Sequence, residues 1–109
     1  MADHERLARN EAFFRDVNER INEVADEHGV DGHAYEFICE CSDPACAERV
    51  TLTRAEYEVI RAAPRRFVLA TGHDIAAIEI VVDAGEGHTV VEKAGEAGRV
   101  AEALDPRAA

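Results

Sequence analysis

The hydrophobic positions in the first quarter of the chain recur with the period of an α-helix. Five apolar residues there are separated by seven, three, four and three positions and form one stripe: Leu7, Phe14, Val17, Ile21 and Val24. Phe13 lies beside the stripe and could contact a second surface, although core packing is the expected use. Charged residues four apart, such as Glu11 and Arg15, are expected on the outer surface. Because Gly29 can end a helix, we predict a helix over residues 3–28.

From residue 34 onwards, the helical period gives way to a pattern in which every second residue shares one face, as in a β-strand. Four residues then share one face of a predicted extended strand: Tyr35, Phe37, Cys39 and Cys41. Glu40 is predicted on the opposite, outward face. The dipeptide Asp43-Pro44 favours a chain reversal, and the alternation resumes over residues 48–53. We therefore predict a β-hairpin over residues 34–53, which returns Cys46 to the first two cysteines.

The second half of the chain predicts a short helix and a second hairpin. Thr53 and Glu56 have the spacing of a capping box, and Pro64 prevents the helix that starts there from continuing. Strands are predicted near residues 66–70, 77–83 and 88–93, the last two joined across a glycine turn at residues 85–87. The small, polar segment 95–109 is expected to fray or to form one last helical turn.

These elements predict an α+β fold in a single domain spanning residues 1–109. We expect an antiparallel sheet of about four to five strands, a long N-terminal helix packed on it, and one short helix between the hairpins. A chain of 109 residues is long enough for one hydrophobic core and too short for two sizeable ones.

The net charge and the composition argue against two classes of partner, nucleic acids and membranes. The net charge of -11 opposes the broad basic surface that nucleic-acid backbones require, so nucleic acid is not expected as a partner. No apolar run approaches the roughly 20 residues that span a bilayer, and the first residues lack the pattern of a secretion signal. We therefore expect a cytoplasmic protein without membrane contact.

A basic segment interrupts this acidic chain. Five arginines lie between residues 49 and 66: Arg49, Arg54, Arg61, Arg65 and Arg66. The favoured interpretation is a solvated face that balances neighbours such as Glu56 and Glu58. The alternative is that residues 61–66 bind an acidic protein partner.

The three cysteines lie within eight positions, which indicates a metal site in a reducing compartment. Zn²⁺ prefers four nitrogen or sulfur ligands in a tetrahedron. Cys39, Cys41 and Cys46 supply three, and His73, which follows Gly72, supplies the fourth in a C-x-C-x4-C-x26-H pattern. Two other histidines are alternative fourth ligands: His33 and His88.

Other interpretations of the cluster remain open. The cysteines could be small buried apolar residues, or Cys41 and Cys46 could form a disulfide on oxidation. A catalytic zinc would need an open position and a general acid or base, for which Glu40 and Asp74 are candidates. No hydrolase signature accompanies them. The sequence therefore favours a non-enzymatic zinc protein acting through protein contacts, with a metal-gated thiol sensor second and a metallohydrolase third.

Several segments together resemble one group of proteins. The segments are ARNEAFFRDVNERI, CECSDP with a following cysteine, PRRF, GHD and VVEKAGEAG, and they cover nearly the whole chain. The combination is similar to a group of small uncharacterised proteins of high-GC actinobacteria. The resemblance implies a bacterial cytoplasmic setting and a single domain, and it carries over no activity and no catalytic residue.

Overall fold

The computed structural model of the chain describes residues 2–28, 33–41, 43, 45–75, 78–85 and 87–107. These residues form an α+β fold with a long N-terminal helix, as the sequence predicts. In chain order the elements are α1 (Ala2–His28), β1 (Ala34–Ile38), β2 (Arg49–Thr53), α2 (Arg54–Arg61), β3 (Arg66–Leu69), β4 (Glu79–Gly85), β5 (His88–Lys93) and α3 (Gly95–Ala103). Four residues that carry predictions lie outside the described residues: Gly29 at the predicted helix end, Pro44 and Glu86 in predicted turns, and Ala77 at the start of a predicted strand. No helix in the described ranges is long and apolar enough to cross a membrane.

The strands form two antiparallel sheets, so the prediction of one sheet with four to five strands is wrong. Strands β1 and β2 pair with each other, and a second sheet has the order β3-β5-β4. The two sheets meet at Glu40, whose backbone N–H donates to the Val68 carbonyl at 2.9 Å. The Glu40 carboxylate accepts the Val68 N–H at 3.0 Å. Because a side chain occupies the place of a second backbone bond, the ladder does not continue from one sheet into the other.

Helix α2 begins as the sequence predicts. Thr53 and Glu56 make both hydrogen bonds of the capping box, and Tyr57 and Ile60 are buried. The structure also contains a second short helix, α3, in the segment expected to fray or to form one turn, so the prediction of a single short helix is wrong. Helix α3 is held against the fold because it buries Ala97 and Ala101.

The fully buried face of α1 lies beside the predicted apolar stripe, of which Leu7 and Ile21 pack against the core while partly buried. Val24 and Phe13 are exposed, and the other stripe residues are only half-buried. The residues that α1 buries are mostly polar: Glu11, Ala12, Arg15, Asn18, Asn22 and Ala25. The expectation that Glu11 and Arg15 lie on the outer surface is therefore also wrong.

The buried polar residues of α1 have partners that are distant in the sequence. Glu11 pairs with Lys93, which also pairs with Glu79. Arg15 donates to the carbonyl of Pro64 at 2.7 Å and to that of Ala101 at 2.8 Å. These contacts compensate the cost of burying charge, and they fix α1 on the second sheet and on α3.

The main hydrophobic core lies between the two sheets, α1 and α2. Phe37 of β1 stacks on Tyr57 of α2 with ring centroids 4.5 Å apart. Cys39 and Cys41 belong to the same cluster of buried residues, and Cys46 packs against it. The cysteines therefore lie at the edge of the core where the two sheets meet.

Candidate metal centre

All four residues proposed as ligands come together at this junction. Cys39 and Cys41 follow β1, Cys46 lies in the loop before β2, and His73 lies in the loop after β3. Their three sulfur atoms and one imidazole nitrogen all lie within 4.8 Å of one another. The residues form a Cys3His group that could hold a metal ion.

Local backbone contacts explain how the cysteines converge. The N–H of Cys39 donates to the Glu48 carbonyl at 3.1 Å, which extends the β1–β2 pairing by one bond. Asp43 then turns the chain, because its side chain accepts the Ala45 N–H at 2.9 Å and its carbonyl accepts the Cys46 N–H at 3.0 Å. The cysteine segment therefore leaves the strand and curls back, rather than continuing as the predicted extended strand through Cys41.

The edge of β3 brings His73 to the cysteines. Segment 39–40 runs along this edge, and the Ala70 N–H donates to the Cys39 sulfur at 3.1 Å. The chain then turns, with Gly72 at φ +86° and the His73 N–H donating to the Ala70 carbonyl at 3.1 Å. Glycine adopts this left-handed conformation without the strain that another residue would have.

The distances within the group fit a tetrahedral ion. His73 Nδ1 lies 3.5 Å from the Cys39 sulfur and 3.6 Å from the Cys46 sulfur. With Zn–S bonds of about 2.3 Å and a Zn–N bond of about 2.0 Å, a tetrahedron holds sulfur and nitrogen about 3.5 Å apart and two sulfurs about 3.8 Å apart. Atoms already within 4.8 Å of one another reach this geometry by movements of about 1 Å or less.

Burial favours the neutral thiols in the absence of a cation. It raises the pKa of Cys39, and it raises the pKa of Cys41 to about 12. A bound metal ion has the opposite effect, because its charge stabilises the thiolates. The N–H of Ala70 would also stabilise a thiolate at Cys39, because it donates to the Cys39 sulfur. The buried thiols are therefore poor nucleophiles by themselves and suited to hold a cation.

The two alternative histidines do not belong to the group. His33 is exposed before β1 and packs edge to face on Tyr35, with ring centroids 4.7 Å apart. His88 begins β5 and pairs with Gly85 across the hairpin. Among the described residues, His73 is the histidine that joins the three cysteines.

The sequence analysis did not identify the two buried side chains that support the cysteine segment, Asn18 and Glu40. Asn18 of α1 accepts the Ile38 N–H and donates to the Ile38 carbonyl, both at 2.8 Å, and it donates to the Glu40 carboxylate at 2.7 Å. Glu40 is fully buried, and burial raises its pKa to about 7. Its position between two cysteines indicated an outward side chain, and no local signal pointed to Asn18. With both oxygens engaged by Asn18 and Val68, Glu40 is a structural carboxylate rather than a free general base.

The basic segment is largely neutralised within the chain. Arg61 is buried and pairs with Asp105 and Glu19. Arg65 pairs with Glu102, and Arg66 pairs with Glu92 at 3.3 Å. Arg65 and Arg66 agree with the favoured interpretation of a solvated face that balances acidic residues, although their partners are not those expected. Arg61 does not fit that interpretation, because it is buried. This surface therefore offers an acidic partner less positive charge than the sequence indicates.

No protein-family model, no curated protein and no solved structure matches the chain. The resemblance to actinobacterial proteins therefore stays a prediction.

Proposed function

We propose that the protein is a small non-enzymatic zinc-binding protein, in which Zn²⁺ is held by Cys39, Cys41, Cys46 and His73. The observation that carries this proposal is the convergence of one nitrogen and three sulfur atoms within 4.8 Å of one another, with the nitrogen 3.5 and 3.6 Å from two of the sulfurs. Soft thiolate ligands select zinc over magnesium or calcium, which prefer oxygen. His73 would bind through Nδ1, the nitrogen that faces the sulfurs.

The ion would have a structural role, because four protein ligands complete its tetrahedron. A catalytic zinc keeps a position open for water or substrate, and a closed Cys3His site has none. The proposed ion connects the end of β1, the loop before β2 and the loop after β3. It would therefore hold the two sheets together where, among the described contacts, Glu40 makes the backbone bond between them.

Because a closed metal site has no open position for catalysis, the protein would act in regulation or assembly through contacts of its surface with other proteins. The basic segment is the weaker candidate for this surface, because Arg61, Arg65 and Arg66 are paired within the chain. The exposed apolar residues are the stronger candidate. They include Phe13 and Val24 on α1.

Metal analysis of the purified protein tests the zinc proposal. Protein produced with zinc in the medium should contain about one zinc per chain, because the group offers one complete set of ligands. Cys46→Ser and His73→Ala should lose most of the zinc, and His33→Ala is the matched control that should retain it. Wild-type protein that contains no zinc, and whose melting temperature does not change with added zinc, would contradict the proposal.

A thiol sensor gated by the metal is a second candidate, favoured by one observation. Cys46 and His73 are half-buried, whereas Cys39 and Cys41 are buried. An oxidant could therefore reach one thiolate of a loaded site before the other two. The rate of zinc release under peroxide, compared with the rate under a chelator alone, separates a sensor from a purely structural site.

A further inference from the structure

A cleft lies between β2, helix α2 and the hairpin of β4 and β5. Its volume is about 560 Å³, which lies within the range of about 300–1,000 Å³ that is typical of small-molecule sites. Its apolar lining consists of Leu52, Val59, Ile60 and Val90, and its polar side chains are Thr51, Glu56, Asp83 and His88. An apolar lining with a few polar groups is the usual composition of a site for a small organic molecule.

A β-bulge in β4 directs Asp83 into the cleft. Up to Val81, which lies opposite Val91, the pairing of β4 with β5 is regular. A regular continuation would place Val82 opposite Val90, but the register shifts and Asp83 lies there instead. Because residues opposite each other in an antiparallel pair share one face of the sheet, the bulge places a carboxylate rather than a valine beside Val90. Bulges often re-aim a side chain next to a functional site.

The same shift in register brings His88 into the cleft above a glycine. His88 lies opposite Gly85, where a regular register would place Ala84. A Cβ atom on Gly85 would lie 2.6 Å from the His88 ring, so the ring packs directly on the glycine backbone. The glycine therefore makes room for the imidazole, which offers a ring nitrogen for a hydrogen bond to a ligand.

The two carboxylates of the cleft lack a cationic partner within the described residues. Neither Glu56 nor Asp83 forms an ion pair there, whereas Glu58 of the same helix pairs with Arg107. One oxygen of Glu56 accepts the Thr53 N–H in the capping box, and the other is left for a ligand. The cleft therefore combines an apolar floor with negative charge that the described part of the chain does not balance.

We propose that this cleft binds a small organic cation, an amine with an apolar body. Its ammonium group would donate hydrogen bonds to Asp83 on β4 and to Glu56 on α2. Its apolar body would cover Leu52, Ile60 and Val90, which removes apolar surface from water. Each part of such a molecule meets a part of the cleft that matches it.

The groups in the cleft disfavour two other classes of ligand. An anion would meet two carboxylates, and the described lining contains no lysine or arginine. A metal ion needs its ligand atoms close together, and among the described residues the Cys3His group meets this condition, whereas Glu56, Asp83 and His88 do not. The cleft shares no residue with the Cys3His group, so the inference goes beyond the zinc proposal and does not depend on it.

Three probes with the same aromatic body and different charge test the proposal: phenethylamine, phenethyl alcohol and phenylacetate. Titrations of the zinc-loaded protein, followed by two-dimensional amide NMR, measure the dissociation constants and locate the site. Phenethylamine should bind with a dissociation constant of about a millimolar or less. It should shift amide signals of β2, α2 and the β4–β5 hairpin, and it should bind about tenfold more tightly than the alcohol. Phenylacetate should not bind measurably.

Asp83→Asn and Glu56→Gln separate recognition of charge from recognition of shape. Both substitutions keep the size of the side chain, and glutamine can still accept the Thr53 N–H of the capping box. Each should weaken binding of phenethylamine by about threefold and leave binding of the alcohol unchanged. The double variant D83N/E56Q should therefore no longer prefer the amine. Glu96→Gln is the matched control, because Glu96 is exposed on α3 outside the cleft, and this variant should keep the full preference.

Three outcomes would overturn the proposal. The first is the absence of any change in the amide spectrum with phenethylamine at about 10 mM. The second is equal affinity for the amine and the alcohol, which would show an apolar groove without recognition of charge. The third is a preference for the amine that persists in D83N/E56Q, which would place the recognition outside this cleft. Zinc content should be the same in all variants, so these results are independent of the metal site.

Discussion

Asn18 is the residue through which helix α1 positions the cysteine segment, and replacing it by alanine tests this role. The substitution removes three hydrogen bonds: one from the Ile38 N–H, one to the Ile38 carbonyl and one to the Glu40 carboxylate. Asn18 and Glu40 are both buried. The Ile38 N–H, the Ile38 carbonyl and the Glu40 carboxylate would then lack this hydrogen-bond partner in a site with little access to water.

The expected loss of stability follows from these three contacts. A neutral hydrogen bond contributes about 1 kcal/mol, and one to a charged group contributes about 1.5–3 kcal/mol. Two neutral bonds and one to Glu40, which is only partly ionised at neutral pH, give about 3–5 kcal/mol, and partial relaxation lowers this to about 2–4 kcal/mol. Because domains are typically stable by only about 5–15 kcal/mol, the loss would be readily measured.

Urea unfolding at one fixed concentration of free zinc measures the change, because bound metal adds to the apparent stability. Asn22→Ala is the matched control, with the same residue type one turn further along α1. Asn22 bonds to the partly exposed side chains of Glu58 and Arg54, so its loss should cost about 1 kcal/mol. A loss below about 1 kcal/mol for Asn18→Ala, or equal losses for both variants, would refute the reasoning.

Two further predictions concern the thiols and the buried charges. Peroxide should release zinc and join Cys41 to Cys46, as two thiols and one hydrogen peroxide give a disulfide and two waters. Mass mapping that finds all thiols reduced and zinc retained would favour a purely structural site. Lys93→Met should cost about 3–5 kcal/mol in thermal or urea unfolding, because it leaves Glu11 and Glu79 buried without their cation. A cost below about 1 kcal/mol would show that this ion pair is not needed for folding.

The features that the sequence predicts correctly depend on local signals. The capping box at Thr53 and Glu56 is a contact between residues three apart, and it is formed as expected. The hairpin of β4 and β5 follows from alternation on either side of a glycine turn. The convergence of the cysteines depends on the Asp43 turn, which also lies within the segment itself. The amino-acid composition left a few histidines as candidates for the fourth ligand, and His73 is the one that the structure brings to the cysteines.

The features that the sequence does not predict depend on distant partners. Apolar periodicity did not identify the polar face of α1 that is fully buried, because Glu11 and Arg15 are buried through contacts with Lys93 and Ala101. These partners lie 82 and 86 residues away. The division into two sheets depends on the Glu40 side chain, which an alternating pattern placed on the outward face of a strand. Periodicity alone cannot identify a polar residue that is buried because its partner is buried with it.

X-ray absorption spectroscopy of the zinc in the purified wild-type protein tests the central claim most directly. The account predicts one zinc per chain with three sulfur ligands at about 2.3 Å and one nitrogen ligand at about 2.0 Å. The spectrum of His73→Ala should lose the nitrogen contribution of the imidazole. Protein without zinc, or a zinc shell made mainly of oxygen and nitrogen, would contradict the assignment of Cys39, Cys41, Cys46 and His73 as a closed zinc site.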